Sequence, residues 1–190
     1  MKRRSAEKHD RAVITCECRV APYAGAERRR RRGNDRRLVE LALAVQRVFE
    51  AVVVTELYPR TQIDIFIHVL EEDGGQLPAC INAACLALVD AGVSVRDLVV
   101  ACAATLVDGE LLVDLNRQEQ NAGGPYLPVA ITPSDDRVVL AQLDSRVPLD
   151  SFDQLMQVAV EGCHAVHATL AAALRQHIEK KHAGSAAIDM

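Results

Sequence analysis

Leu98-Val99-Val100-Ala101-Cys102-Ala103-Ala104-Thr105-Leu106, followed by Val107-Asp108-Gly109-Glu110-Leu111-Leu112-Val113-Asp114-Leu115, is the stretch that decides the architecture. From 98 to 106 the run is almost continuously apolar and lacks polar alternation, the pattern of a strand covered on both faces. Such a strand belongs between two layers and not on a solvated surface. Asp108-Gly109 is a hairpin signal, so 110–115 reads as a second strand turning back on the first.

Working upstream, residues 79–91 read as a helix, with Pro78 suited to its first turn and Gly92 stopping it. Gly74-Gly75 form the turn before it. Residues 61–70 place Ile63, Ile65, Ile67 and Val69 on one face of a strand. Residues 36–55 carry Leu38, Leu41, Val45, Val48, Phe49 and Val52 near a helical period, with Asn34 and Asp35 as N-cap candidates. Residues 12–20 alternate as a strand, and 21–35 form a loop containing Pro22, Gly25, five consecutive arginines and Gly33.

Downstream of Gly123-Gly124-Pro125, strands are expected at 127–132 and 137–143, joined by a turn at 133–136. Asp150 or Ser151 caps a long amphipathic helix over 152–178, and a polar tail follows at 181–190. The order β-α-β-α-β-β-β-β-α predicts a mixed α/β (α+β) sandwich, one domain over 1–180, and not a doubly wound sheet.

Composition limits the function classes. Three Phe, three Tyr and no Trp leave an aliphatic core. No apolar run approaches the roughly 18 to 20 residues that span a bilayer, so no membrane partner is read. Met1-Lys2-Arg3-Arg4 is basic, but no apolar segment follows to make a secretory signal. Cys16, Cys18, Cys80, Cys85, Cys102 and Cys163 form no CxxC pair and sit mostly in apolar stretches. They read as buried free thiols of a reducing compartment, not as a disulfide framework or zinc site. Net charge is −4, yet residues 1–37 hold 13 Lys and Arg against 5 acids, while the remainder holds 9 against 21. That +8 segment suits a localised polyanion contact.

Several strings in this order resemble the RNase PH family, and most closely its exosome ring subunits. They are Asp10-Arg11-Ala12-Val13, Glu27-Arg28 leading to Asp35-Arg36-Arg37, and Pro59-Arg60-Thr61-Gln62-Ile63-Asp64. Further on come Asp73-Gly74-Gly75 with Asn82-Ala83-Ala84, Asp90-Ala91-Gly92-Val93 with Arg96-Asp97, and Asp114-Leu115-Asn116. The resemblance implies an RNase PH-type fold of the ribosomal protein S5 domain 2-like kind. It also implies opening strands ahead of the Asp-Arg-Ala string, so the chain reads as short at its N-terminus.

Active members of the family attack an RNA 3′ end with inorganic phosphate. The resemblance places their phosphate pocket at the Gly74-Gly75 turn, where backbone N–H groups favour an anion. The hydroxyl and arginine that follow in the family fall here on Gln76 and Leu77. Of three acidic positions, Asp114 keeps the first, while Gln120 and Tyr126 occupy the others. A glutamine carries no charge, binds Mg²⁺ weakly and is no base. Glu119 lies one position off. On plainer terms Gly74-Gly75 is a turn and Asp114 a strand-end acid.

The paired arginines that contact RNA in active relatives fall on Arg36 and Arg37, and Arg28, Arg29, Arg30, Arg31 and Arg32 add five charges in the preceding loop. Cations in a first helical turn oppose the helix dipole by about a few tenths of a kcal/mol each, which favours a nearby anion. Solvated side chains are the plain alternative. His164 and His167 share a helix face without a further ligand.

The expectation from these losses is a subunit that is not an enzyme, with no catalytic residue, cofactor or metal. It would serve as scaffold and RNA channel of an exosome that matures ribosomal RNA and turns over other RNAs. The implied partners are other RNase PH-type ring subunits, cap subunits with RNA-binding modules, a hydrolytic exoribonuclease and single-stranded RNA. The implied location is the nucleus and nucleolus, and also the cytoplasm. Two alternatives stand beside it: a phosphate-dependent 3′→5′ exoribonuclease, and an RNA-binding protein outside any ring.

Overall fold

The computed structural model describes residues 10–25, 27–28 and 35–188, with only the backbone described from 182 onward. The apolar run forms β3 (Val100–Val107), which pairs antiparallel with β4 (Glu110–Val113) on one side and β5 (Leu127–Thr132) on the other. With β6 (Arg137–Ala141) they make a sheet ordered β4-β3-β5-β6. A second, parallel sheet joins β1 (Val13–Val20) to β2 (Gln62–Val69).

The double coverage read from 98–106 is present. Val99, Ala101 and Ala130 enter one core with the parallel sheet, α1 (Arg36–Val52) and α2 (Gln76–Asp90). Val100, Cys102, Ala104, Val129 and Ile131 enter a second core under α4 (Leu149–Ile188), against Leu155, Ala159 and Cys163. Alternate residues of β3 therefore feed opposite layers, as the strand pleat requires. Helix α4 lies close on the sheet because residue 162 is glycine: a Cβ there would stand 2.9 Å from Cys102 Sγ and 2.7 Å from Val113 Cγ1.

Asp35 caps α1, its carboxylate accepting from the Arg37 N–H at 3.1 Å. The helix stops at Val52, three residues before the expected end. Val52-Val53-Val54-Thr55 is β-branched throughout, and Val53 forms a bridge with Val95 while Val54 N–H bonds Ser94 O. A single 3-10 turn, Thr55–Leu57, follows. Helix α2 begins at Gln76, earlier than expected, with Pro78 in the first turn where no N–H partner is needed. Asn82 on α2 grips β3 through both ends of its amide, donating to Ala101 O at 2.9 Å and accepting from Ala101 N at 2.8 Å.

Helix α4 corrects the sequence reading at both ends. It starts at Leu149 and runs to Ile188, through the segment taken for a polar tail. Ala, Leu, Arg, Gln, Glu and Lys over 171–181 are strong helix formers, and His177 and Lys181 both bond the Asp90 carboxylate at the end of α2. All six cysteines are free thiols, five of them buried. Among the described residues no helix is long and apolar enough to cross a membrane.

Candidate functional site

The turn at Gly74-Gly75 has positive φ at both residues, 100° and 54°, and Gly75 is the N-cap of α2. This turn is pressed against the chain leaving β4. A Cβ at Gly74 would lie 2.4 Å from Leu115 O and 2.7 Å from the Asn116 carbonyl carbon, so only glycine fits. A Cβ at Gly75 would lie 3.6 Å from Asp114 Oδ1. The retained acid and the turn are thus adjacent.

Asp114 ends the strand with φ 57°, a conformation Asp tolerates better than most residues. Its N–H still bonds Ala103 O at 3.0 Å, and buried Leu115 anchors the exit. The chain then enters a short helix, α3 (Arg117–Asn121), which sequence analysis missed. Asn116 caps it in a reciprocal box: Glu119 N–H donates to Asn116 Oδ1 and Asn116 N–H to Glu119 Oε2, each at 2.9 Å. Glu119 is therefore turned back into the cap because this segment is helical, not extended.

An open cavity of about 1050 Å³ lies between α1, α3 and the loop after β1. Gly74, Gln76, Leu77, Gln120 and Tyr126, which the sequence singled out from three separate segments, all line it. Burial pushes the Tyr126 phenol up to about 12, so it stays neutral and acts only as a hydrogen-bonding group. Arg37 also lines the cavity, but Arg36 does not: it pairs with Glu40 at 2.8 Å, one helical turn along. The two neighbouring arginines point differently because successive helix residues diverge by about 100°. Arg28 is exposed and is not among the residues that line the cavity, and Arg29, Arg30, Arg31 and Arg32 lie outside the described residues. His164 pairs with Asp136 at 3.0 Å on the surface.

Two cavity arginines escaped the sequence reading. Arg47 shares a stripe of α1 with Arg37, Leu41 and Ala44, and all four line the cavity. Arg117 enters from α3, its Nη1 3.1 Å from the position of a Cβ on Gly25. The signal for Arg117 was its place three residues after Asp114. Among the described residues no group of three or more His, Cys, Asp or Glu comes together to hold a metal ion. A divalent ion at the three acidic positions implied by the family resemblance would find one carboxylate, Asp114, and the neutral Gln120 and Tyr126. That set does not fit a bound ion by itself.

Residues 1–94 match the 3′ exoribonuclease family, domain 1 (RNase PH), and residues 97–162 match domain 2 of the same family. The chain is 42% identical over 177 residues to exosome complex component RRP41 of Mus musculus, covering 93% of this chain and 72% of that protein.

The chain belongs to the RNase PH family of 3′ exoribonucleases.

It is also 41% identical over 170 residues to exosome complex component Rrp41 of Thermococcus onnurineus, covering 90% of this chain and 68% of that one. Among solved structures, rice (Oryza sativa) Rrp46 superimposes with a TM-score of 0.78 at 19% identity, covering 90% of this chain and 77% of that chain, a likeness of fold. These findings correct the expectation that the chain is not an enzyme. Identity of 42% with RRP41, inside a family of 3′ exoribonucleases, overturns it. The expectation rested on the loss of charge at Leu77 and Gln120, both of which line the cavity described above. Folding brings Arg37, Arg47 and Arg117 to the same cavity from elsewhere in the chain.

Proposed function

We propose that the chain is a ring subunit of an exosome-type assembly that shortens RNA from its 3′ end, with inorganic phosphate as the second substrate. The observation that carries this reading is the contact between the Gly74-Gly75 turn and the Asp114–Arg117 segment at one end of an arginine-bearing cavity. Backbone N–H groups at such a turn favour an anion. Arg37 and Arg47 on the α1 wall suit the backbone phosphates of single-stranded RNA. Relatives that are exosome components support the assembly, and other RNase PH-type ring subunits are its proposed neighbours.

In the proposed reaction a phosphate oxygen attacks the phosphorus of the last phosphodiester. The bond from that phosphorus to the 3′ oxygen of the preceding nucleotide breaks, and a nucleoside diphosphate leaves. The departing 3′ oxygen takes a proton, and the proposed donor is Asp114, the carboxyl group beside the turn. Positioning and charge stabilisation supply the rest.

The test incubates the chain, alone and assembled with RNase PH-type ring subunits, with single-stranded RNA and phosphate. Nucleoside diphosphates should appear only when phosphate is present. Asp114→Asn should lower the rate by about 100-fold or more, the usual weight of a proton-transfer group. Absence of phosphate-dependent shortening in both preparations would refute the reading.

A further inference from the structure

Cys16 and Cys18 stand two residues apart on β1 and face the core shared with α2, where Cys80 lies in the second turn of the helix. Cys18 and Cys80 are buried, at 7% and 4% exposure, and their side chains are hydrogen-bonded to each other. The two sulfurs therefore touch across the seam between sheet and helix, although they are far apart in the chain. From this geometry we infer that Cys18 and Cys80 form a peroxide-responsive thiol pair, which hydrogen peroxide converts to a disulfide joining β1 to α2.

A small cavity gives the oxidant a way in. It has a volume of about 200 Å³ and lies between β2 and the first turns of α2, apart from the arginine-bearing cavity. Cys80 lines it, and so does Ile67, the register partner of Cys18 in the parallel sheet. Cys18 thus stands directly behind that wall. His68, Leu70 and Glu71 line the same cavity and are exposed, so solvent reaches it. A water needs about 10 to 15 Å³ of such space, and hydrogen peroxide is little larger.

The pair is also polarised. The hydrogen bond from Cys80, opposed by burial, draws the Cys18 thiol below its ordinary value of 9.0, while the same bond and burial push Cys80 up. Cys80 S–H is thus the donor and Cys18 the sulfur that carries the thiolate, the reactive form. In the first step the Cys18 thiolate attacks one peroxide oxygen; the O–O bond breaks, hydroxide leaves, and Cys18 becomes a sulfenic acid. In the second, Cys80 gives its proton to that hydroxide and attacks the Cys18 sulfur; the S–O bond breaks and hydroxide leaves with a proton from solvent. Two thiols and one peroxide give one disulfide and two waters. Cys16 is a poor competitor for Cys18. Two residues along a strand the Cα atoms are about 6.6 Å apart, near the upper limit of about 6.8 Å for a disulfide, and burial holds the Cys16 thiol up at about 11.

The experiment treats the folded, fully reduced chain with a few equivalents of hydrogen peroxide, blocks the remaining thiols with a maleimide under denaturing conditions, and maps the peptides without reduction. Wild type should lose two of its six free thiols, regain them with dithiothreitol, and yield one crosslinked peptide pair containing Cys18 and Cys80. Cys16→Ser should form the same crosslink, whereas Cys18→Ser and Cys80→Ser should not. In Cys80→Ser a dimedone trap should mark Cys18 as the sulfenic acid. Retention of all six thiols in wild type would overturn the inference, as would a crosslink through Cys16, one between chains, or one that forms only after denaturation. The wild-type peptide map decides the matter even if a serine variant fails to fold.

Discussion

A methyl group at position 74 would collide with Leu115 O at 2.4 Å, and the φ of 100° there is strained for any side chain. The obstacle is backbone and cannot swing aside. Gly74→Ala is therefore expected to cost about 2 kcal/mol or more and to part the turn from the Asp114–Arg117 segment. A urea melt measures the first effect and phosphate titration the second. Unchanged values for both would mean that the turn and the segment are not held together.

Helices α2 and α4 meet where their ends share Asp90. The Lys181 hydrogen bond, and after it that of His177, holds the Asp90 carboxyl below its ordinary value of 3.8. A carboxyl depressed in the folded state stabilises it above the unfolded value and loses that contribution as pH falls through the folded one. The contact is thus intact near neutrality and breaks at pH below about 4. Hydrogen exchange in the last turns of α4 should accelerate over that window, ahead of the buried turn around Leu155. Asp90→Asn should bring fast exchange at neutral pH as well. If the variant and wild type exchange alike at pH 7, the ion pair does not tether the helix.

Across the whole molecule the two halves that match domains 1 and 2 of the family are not independent in packing. Val99 and Ala101 lie in the core of the first half, while Val100 and Cys102, their immediate neighbours, lie in the core of the second. A strand cannot lose one face and keep its hydrogen-bond ladder on the other. We therefore expect a single unfolding transition, with near- and far-ultraviolet circular dichroism giving the same midpoint. Two separated midpoints would show that residues 1–94 and 97–162 fold as separate units. The six free thiols fit this continuous interior; desolvation pushes Cys163 up to about 12 and Cys16 up to about 11, which keeps both protonated.

The sequence by itself determined the order of the major elements, the doubly covered strand at 98–106 and the Asp35 cap, because periodicity and capping act over a few neighbouring residues. It also carried the family, through strings scattered from Asp10 to Asn116. Tertiary structure alone decided the rest. It ended α1 at Val52 by pairing Val53 with Val95, extended α4 to Ile188, and separated Arg37 in the cavity from Arg36 on the surface. Above all it set Arg117 against Gly25 and Gly74. Those contacts join segments far apart in the chain, and their energy comes from burial and close approach of backbones, which no local pattern of residues records.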